Sequence, residues 1–435
     1  MSSIIEVPGC PFSKIVSDSS LENPKVLVYN SHMRYVAREL GRVLTEAARH
    51  FPAVVVTGPR RAGKTTLLRQ LFREAQYVLL EDPDIQGRVR SDPRSFIEGL
   101  HPPVIFDEIQ NTPELFNYVR TLIDRRPRRM GQWLFTGSQE APLMRGITES
   151  MAGRAAILQL LPFSLLETEK VTLLHGGFPE VVARPKSREL WFASYLQTYL
   201  ERDVRAITNV RDLVTFRRFL ALVASRHGQI LNKTDLAAPL GISVPTIGEW
   251  LQILEATGEI ILVPPYFENF GKRLIKSPKL YWVDSGLACY LLGIRSVAEL
   301  ERSPFLGPLF EGFVAAEILK SQTNRGLRRE LYYFRDQQGL EVDFLVPGPN
   351  LGLWLIEAKA GKTVQPGMAA PLQSLQRSLG KKARRLIVVH RRPRGSMITS
   401  AIGRGVEAFP LEHFIKELTQ GTKQPPQKSE RHLLK

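Results

Sequence analysis

The stretch Gly58-Pro59-Arg60-Arg61-Ala62-Gly63-Lys64-Thr65 fits the pattern G-x-x-x-x-G-K-[ST]. Residue types in that order suit one task, which is holding a polyphosphate. The glycines let the backbone curl until its N–H groups point at phosphate oxygens. The lysine reaches the β/γ oxygens and the threonine hydroxyl reaches Mg2+. The loop follows the apolar run Ala53–Thr57 and opens a helical stretch with Thr65 and Thr66, so a helix N-terminus adds partial positive charge. Gly58 through Thr66 are therefore the expected nucleotide contacts, and Lys64 is also an expected catalytic residue. Val104-Ile105-Phe106-Asp107-Glu108 is an apolar run ending in two carboxylates. Asp107 is expected to hold Mg2+ together with Thr65, and Glu108 to polarise the attacking water. A third run, Trp133–Gln139 (WLFTGSQ), would point Ser138 or Gln139 at the γ-phosphate. The expected cofactors are ATP and Mg2+.

A second set of reactive side chains lies far down the chain, in Glu341-Val342-Asp343-Phe344 and in Ile356-Glu357-Ala358-Lys359. Strand side chains alternate, so Glu357 and Lys359 share a face, and a hairpin would bring Asp343 to them. Two carboxylates and a lysine on one sheet face can hold Mg2+ and activate water against a phosphodiester. Asp343 and Glu357 are thus candidate ligands of a second metal. The basic run Lys381, Lys382, Arg384, Arg385, Arg391, Arg392 and Arg394 would draw a polyanion in a salt-sensitive way.

The elements that must position these groups can be read from the pattern. Strands at Ala53–Thr57, Tyr77–Leu80, Val104–Phe106 and Trp133–Thr136 alternate with helices at Thr65–Ala75 and Pro113–Asp124. Apolar strands alternating with helices give an α/β fold with a parallel sheet covered on both faces. A helical region follows from about Ser187, with Leu190, Phe192, Tyr195, Leu196, Tyr199 and Leu200 as one apolar face. In Ile230–Leu254, Asn232 and Ser243 cap two short helices around a turn at Gly241, and strands follow at Glu259–Val263 and Tyr281–Val283. This is a winged-helix pattern. Its second helix carries Glu249 and Glu255 with no Lys or Arg between Val244 and Ala256, which argues against reading base edges. Lys272, Arg273 and Lys276 could still grip a phosphate backbone, and a purely protein-packing winged helix is the alternative.

Composition sets the outer bounds. The 435 residues carry 59 Lys plus Arg against 43 Asp plus Glu, a net charge of +16, which favours polyanionic partners. Two cysteines, Cys10 and Cys289, exclude a disulfide or zinc framework and suit a reducing compartment. The first residues lack the basic and apolar regions of a leader, and no apolar run approaches a membrane span. A cytoplasmic protein without membrane contact is expected.

In order and spacing, TGPRRAGKTTLLRQL, VIFDEIQ and LFTGSQ resemble an AAA-type ATPase of the STAND-related kind found in archaea and bacteria, as do SMAGR, LPFSLL, GGFPEVV and YLERDV. The resemblance implies an arginine that senses the γ-phosphate, from the same chain or a neighbour, and Arg154 or Arg145 matches its region. D-x13-E-x-K resembles the PD-(D/E)XK nuclease core, with Val342 where that name has proline. This second resemblance implies auxiliary roles for Glu311 and for Gln373 or Gln376. The expected organisation is an N-terminal extension (1–33), an AAA-type P-loop domain (34–168), a helical and winged-helix domain (169–300), a restriction-endonuclease-like α/β domain (301–417) and a tail (418–435). The expected activity is ATP hydrolysis that controls a nuclease-like module, built from Glu311, Asp343, Glu357 and Lys359, on nucleic acid bound without sequence preference. The alternative is a nucleotide-driven switch or scaffold whose nuclease-like centre is inert. Association with further copies of the chain is compatible with either.

Overall fold

The computed structural model describes residues 35–137, 150–200, 213–266, 276–348, 352–391 and 402–421. Val36–Lys435 forms one compact unit. Its first sheet contains β1 (Ala53–Thr57), β2 (Gln76–Leu79), β3 (Val104–Asp107), β4 (Trp133–Thr136) and β5 (Ala155–Gln159). The order is β2-β3-β4-β1-β5 and every pair is parallel. Alternation along β1 builds the two layers. Val54 and Val56 meet Leu40 and Leu44 of helix α1 (Leu40–His50) and Leu67 and Leu68 of α2 (Lys64–Leu71). Val55 faces the other way, onto Phe116 and Val119 of α3 (Leu115–Arg125). The sequence pattern misses β5 because it is an edge strand whose Ile157 is 43% exposed. β4 and β5 flank β1, so the crevice where strand order reverses opens at the carboxyl end of β1.

The middle region is a small antiparallel sheet, β6 (Gln229–Ile230), β7 (Ile260–Val263) and β8 (Lys279–Trp282), in the order β6-β8-β7. It packs with helices α4 (Leu213–Ser225), α5 (Lys233–Ala237) and α6 (Val244–Ala256). Asn232 caps α5 by accepting from the Thr234 N–H at 3.0 Å, and Ser243 caps α6 by accepting from the Thr246 N–H at 3.2 Å. Gly241 takes the left-handed turn between them, as its position suggested. One expectation fails here. Leu190 is 77% exposed while Phe192 and Tyr195 are buried, so the apolar face is narrower than the spacing implied. The side chains of Tyr199 and Leu200 lie outside those described.

The last region opens with helix α7 (Leu306–Thr323). A second five-stranded sheet follows, comprising β9 (Tyr332–Arg335), β10 (Glu341–Pro347), β11 (Leu353–Lys359), β12 (Ala383–His390) and β13 (Val406–Pro410). Strands β9, β10 and β11 run antiparallel, and β11, β12 and β13 run parallel, in the order β13-β12-β11-β10-β9. Helix α8 (Ala370–Leu379) covers one face, with α7 and α9 (Leu411–Gly421) on the other. The tail expected from 418 does not begin there, since α9 runs to Gly421 and Leu418 is buried. Helix α7 buries every residue from Gly312 to Thr323, including the Glu317–Lys320 ion pair at 2.9 Å. Its Phe310, Val314 and Ile318 share one core with Trp282 of the middle sheet and Phe344 of β10.

Candidate functional site

Strand β1 delivers the glycine-rich loop to the carboxyl end of the first sheet. Gly58 has φ +131, and a Cβ there would lie 2.1 Å from the Leu160 carbonyl oxygen, so only glycine fits. Gly63, with φ +97, starts α2. The Lys64 side chain is 5% exposed, and its Nζ donates to the carbonyls of Gly58 at 3.0 Å and Pro59 at 2.9 Å. Behind the loop, Arg38 donates to the Ala62 carbonyl at 2.8 Å and to the Leu161 carbonyl, and pairs with Glu167 at 2.9 Å. Its guanidinium also stacks 4.6 Å from the Phe163 ring centre. Arg38 belongs to no recognisable motif. Thr66 stands exposed on the first turn of α2, and Arg61 faces Glu180 at 3.8 Å.

The acidic strand tip meets this loop. Thr65 Oγ1 donates to Asp107 Oδ1 at 2.8 Å. Thr136 donates to the same oxygen from the end of β4, and the Tyr77 hydroxyl donates to Oδ2 at 2.6 Å. Three hydroxyls from three elements thus fix one carboxylate. Burial, aided by Asp107, raises the Tyr77 pKa and keeps the phenol a donor. Thr136 Oγ1 also accepts the Glu108 N–H at 3.2 Å. Glu108 sits at φ +58, a left-handed conformation that carries strain in a residue other than glycine. Its carboxylate accepts a hydrogen bond from Gln110 and lies 3.8 Å from Arg60. A hydroxyl and a carboxylate side by side beneath a helix N-terminus are donors that suit Mg2+. Thr65 and Asp107 therefore fit the expected cation. Ser138, Gln139 and Arg145 lie outside the described residues.

Arg154 is elsewhere. Its carbonyl accepts from the Ala53 N–H at the amino end of β1, and its guanidinium pairs with Asp124 at 2.7 and 3.0 Å. A strand the length of β1 separates it from the loop by about 16 Å. Action on its own chain's phosphate loop is thereby corrected.

The C-terminal residues do come together. Antiparallel pairing sets Phe344 opposite Ile356, which brings Asp343 to Glu357. Asp343 accepts the Ala358 N–H at 2.9 Å, and Lys359 Nζ lies 2.6 Å from Glu357 Oε1. Glu311, on α7, accepts the Tyr281 hydroxyl at 2.6 Å. The surprise is Lys279 of β8, 2% exposed. Its Nζ lies 2.9 Å from Glu311, 2.5 Å from Glu341 and 3.8 Å from Asp343. Lys279, Tyr281 and Glu341 carry no local signal of such a role, since the contacts join three separate elements.

Burial, followed by Glu311 and Glu357, raises the Asp343 pKa well above the usual carboxylate range. Burial likewise raises that of Glu357, against the pull of Lys359. For Lys279, burial opposes the charge, but Glu311, Asp343 and Glu341 outweigh it and hold the pKa above its ordinary value. The Lys279 ammonium thus stands 3.8 Å from Asp343, one of the two carboxylates expected to hold a second cation, while Glu357 Oε2 is buried without a hydrogen-bond partner. Among the described residues no group of three or more His, Cys, Asp or Glu is arranged to hold a metal ion.

The basic run is also displaced from the cluster. Ala383 pairs with Leu353 and His390 with Lys359, so Lys381, Lys382 and Arg384 stand at the far end of the sheet from Glu357. Arg385 is engaged by Glu407 and Glu417 and stacks 4.5 Å from the Trp354 ring centre. Arg391 pairs with Glu301, while Arg392 and Arg394 lie outside the described residues. Gln373 donates to the Arg404 carbonyl at 3.4 Å rather than to the cluster. Lys276 is exposed, and Lys272 and Arg273 lie outside the described residues. No described helix is long and apolar enough to cross a membrane.

Residues 50–169 match the AAA domain family. Residues 167–298 match a domain of unknown function (DUF8612), and 306–414 another (DUF4143). Among solved structures, a Walker-type ATPase of Pyrococcus abyssi aligns at a TM-score of 0.40 with 17% identity, over 58% of this chain and 94% of that one. A STAND protein with a tetratricopeptide repeat sensor from Pyrococcus horikoshii aligns at 0.23 with 14% identity, over 66% and 47%. Two proteins, each titled uncharacterised, from Mycobacterium tuberculosis and Mycobacterium bovis are 33% identical over 316 residues, covering 71% of this chain and 70% of theirs. The phosphate loop and the acidic strand tip accordingly lie in an AAA domain, and the chain belongs to the family of these two mycobacterial proteins.

Proposed function

We propose that the protein is an Mg2+-dependent ATPase whose nucleotide state controls the regions C-terminal to the AAA domain. The observation that carries this reading is the 2.8 Å hydrogen bond from Thr65 to Asp107, which joins the loop to the acidic strand tip. Gly58 to Thr66 would cradle the phosphates, with Lys64 turning from the loop carbonyls to the β/γ oxygens. Thr65 and Asp107 would hold Mg2+, which supplies charge neutralisation across the β- and γ-phosphates when bound. Glu108, held by Gln110 and Arg60, would orient and deprotonate the attacking water, with Ser138 at the γ-phosphate. Arg154, at the opposite end of its own sheet, would act on the loop of a neighbouring copy. Lys64→Ala should lower ATP turnover by at least about 10²-fold, measured as phosphate release. Turnover at the wild-type rate would refute the reading.

The middle region, 169–300, is proposed as a winged-helix domain and 301–417 as a restriction-endonuclease-like one, acting on nucleic acid through phosphate contacts. A second reading is a nucleotide-driven switch whose C-terminal centre is inert. The ammonium of Lys279 among the carboxylates favours that second reading.

A further inference from the structure

We infer that Lys279 is a built-in cation that takes the place of a divalent metal in the C-terminal carboxylate cluster and fastens the middle sheet to the C-terminal sheet. This rests on the reading of the protein as a switch with an inert C-terminal centre, and gives that reading a physical cause. A lysine this deeply buried is rare unless paired, and here three carboxylates surround one ammonium, two of them within hydrogen-bond distance. Glu311 comes from α7, and Glu341 and Asp343 come from β10, at 2.9, 2.5 and 3.8 Å. The lysine comes from β8 of a different sheet. Tyr281, two residues on and on the same face of β8, repeats the connection through its bond to Glu311.

The exchange has a chemical consequence. An ammonium offers one charge and no coordination position, so it cannot lower the pKa of a bound water or polarise a phosphoryl oxygen as a metal does. Lys359 meanwhile is engaged by Glu357 at 2.6 Å. The cluster keeps the residue types of a phosphodiesterase centre but holds a structural ion group, and while β8 stays in place it neither binds Mg2+ nor cleaves a phosphodiester.

The test counts Mn2+ bound to the nucleotide-free full chain, from the electron paramagnetic resonance signal of free Mn2+. Four proteins are compared: wild type, Asp343→Asn, Lys279→Met and the double variant. Wild type and Asp343→Asn should bind the same number of ions. Lys279→Met should gain one, at least tenfold tighter than any ion the wild type holds at the cluster, and the double variant should lose it again. A wild-type ion that Asp343→Asn removes would overturn the inference. So would a cooperatively folded Lys279→Met protein that gains none. If Lys279→Met does not fold, the wild type and Asp343→Asn pair still decides whether the cluster takes metal. ATP turnover in the same preparations reports on the nucleotide site separately.

Discussion

Thr136 shows how one side chain can set two groups of the proposed hydrolytic site. Its hydroxyl donates to Asp107 and accepts from the N–H of Glu108, so it fixes both the carboxylate proposed to hold Mg2+ and the strained backbone beneath the proposed base. Valine keeps the shape and removes both bonds. Thr136→Val should raise the Mg2+ concentration for half-maximal ATP turnover about 10-fold or more, read from an Mg2+ titration of phosphate release. An unchanged midpoint would remove Thr136 from the account. At this scale the sequence was informative wherever partners share a motif. Gly58, Lys64, Thr65 and Asp107 announce themselves because strand, loop and helix are contiguous. Arg38, Gln110 and Lys279 do not, because their roles come from contacts set by the fold rather than by a pattern of neighbours.

Strand direction decided which expectations survived among the elements. The parallel sheet and the β10–β11 hairpin follow from alternating apolar runs, and both formed. The positions of Arg154 and of Lys381 to Arg384 depend on which end of a strand they occupy, and spacing alone does not say. β5 is not legible in the sequence because a half-exposed edge strand lacks the continuous apolar signal of a buried one. Helix α7 carries a consequence of close packing. A Cβ at its Gly312 would lie 1.9 Å from His227 Nε2, so the helix closes over a buried imidazole whose pKa burial pushes down to about 3. The unfolded chain binds that proton near pH 6.5. The neutral ring therefore contributes stability that is fully present above pH 6.5 and is lost as pH falls from there toward 3. Between pH 7 and pH 5 this amounts to about 2 kcal/mol. Denaturant unfolding of His227→Gln should show a pH dependence shallower than wild type by about that amount. Parallel curves would contradict it.

The whole molecule joins its two chemical centres through buried polar groups. Arg38 links the Ala62 carbonyl to Glu167. The segment just before Glu167 then binds α7, where Lys320 donates to the Phe163 carbonyl at 3.0 Å and Glu317 accepts the Leu165 N–H at 2.8 Å. Helix α7 also carries Glu311 of the acidic cluster. A second path runs from the turn after α6, where a Cβ at Gly258 would stand 3.2 Å from Pro59 of the loop. If nucleotide state controls the C-terminal regions as proposed, these contacts are the physical connections it would act through. The sequence divides this unit into modules by composition, yet one apolar core spans the middle and last regions, because α7 buries its surface against both. All of it depends on the phosphate loop and the acidic strand tip forming one hydrolytic site. The most direct measurement is ATP binding and turnover by Glu108→Gln beside wild type, with Mg2+ present. Binding should stay within about threefold while turnover falls by about 10²-fold or more. A variant that hydrolyses ATP as fast as wild type would contradict the account.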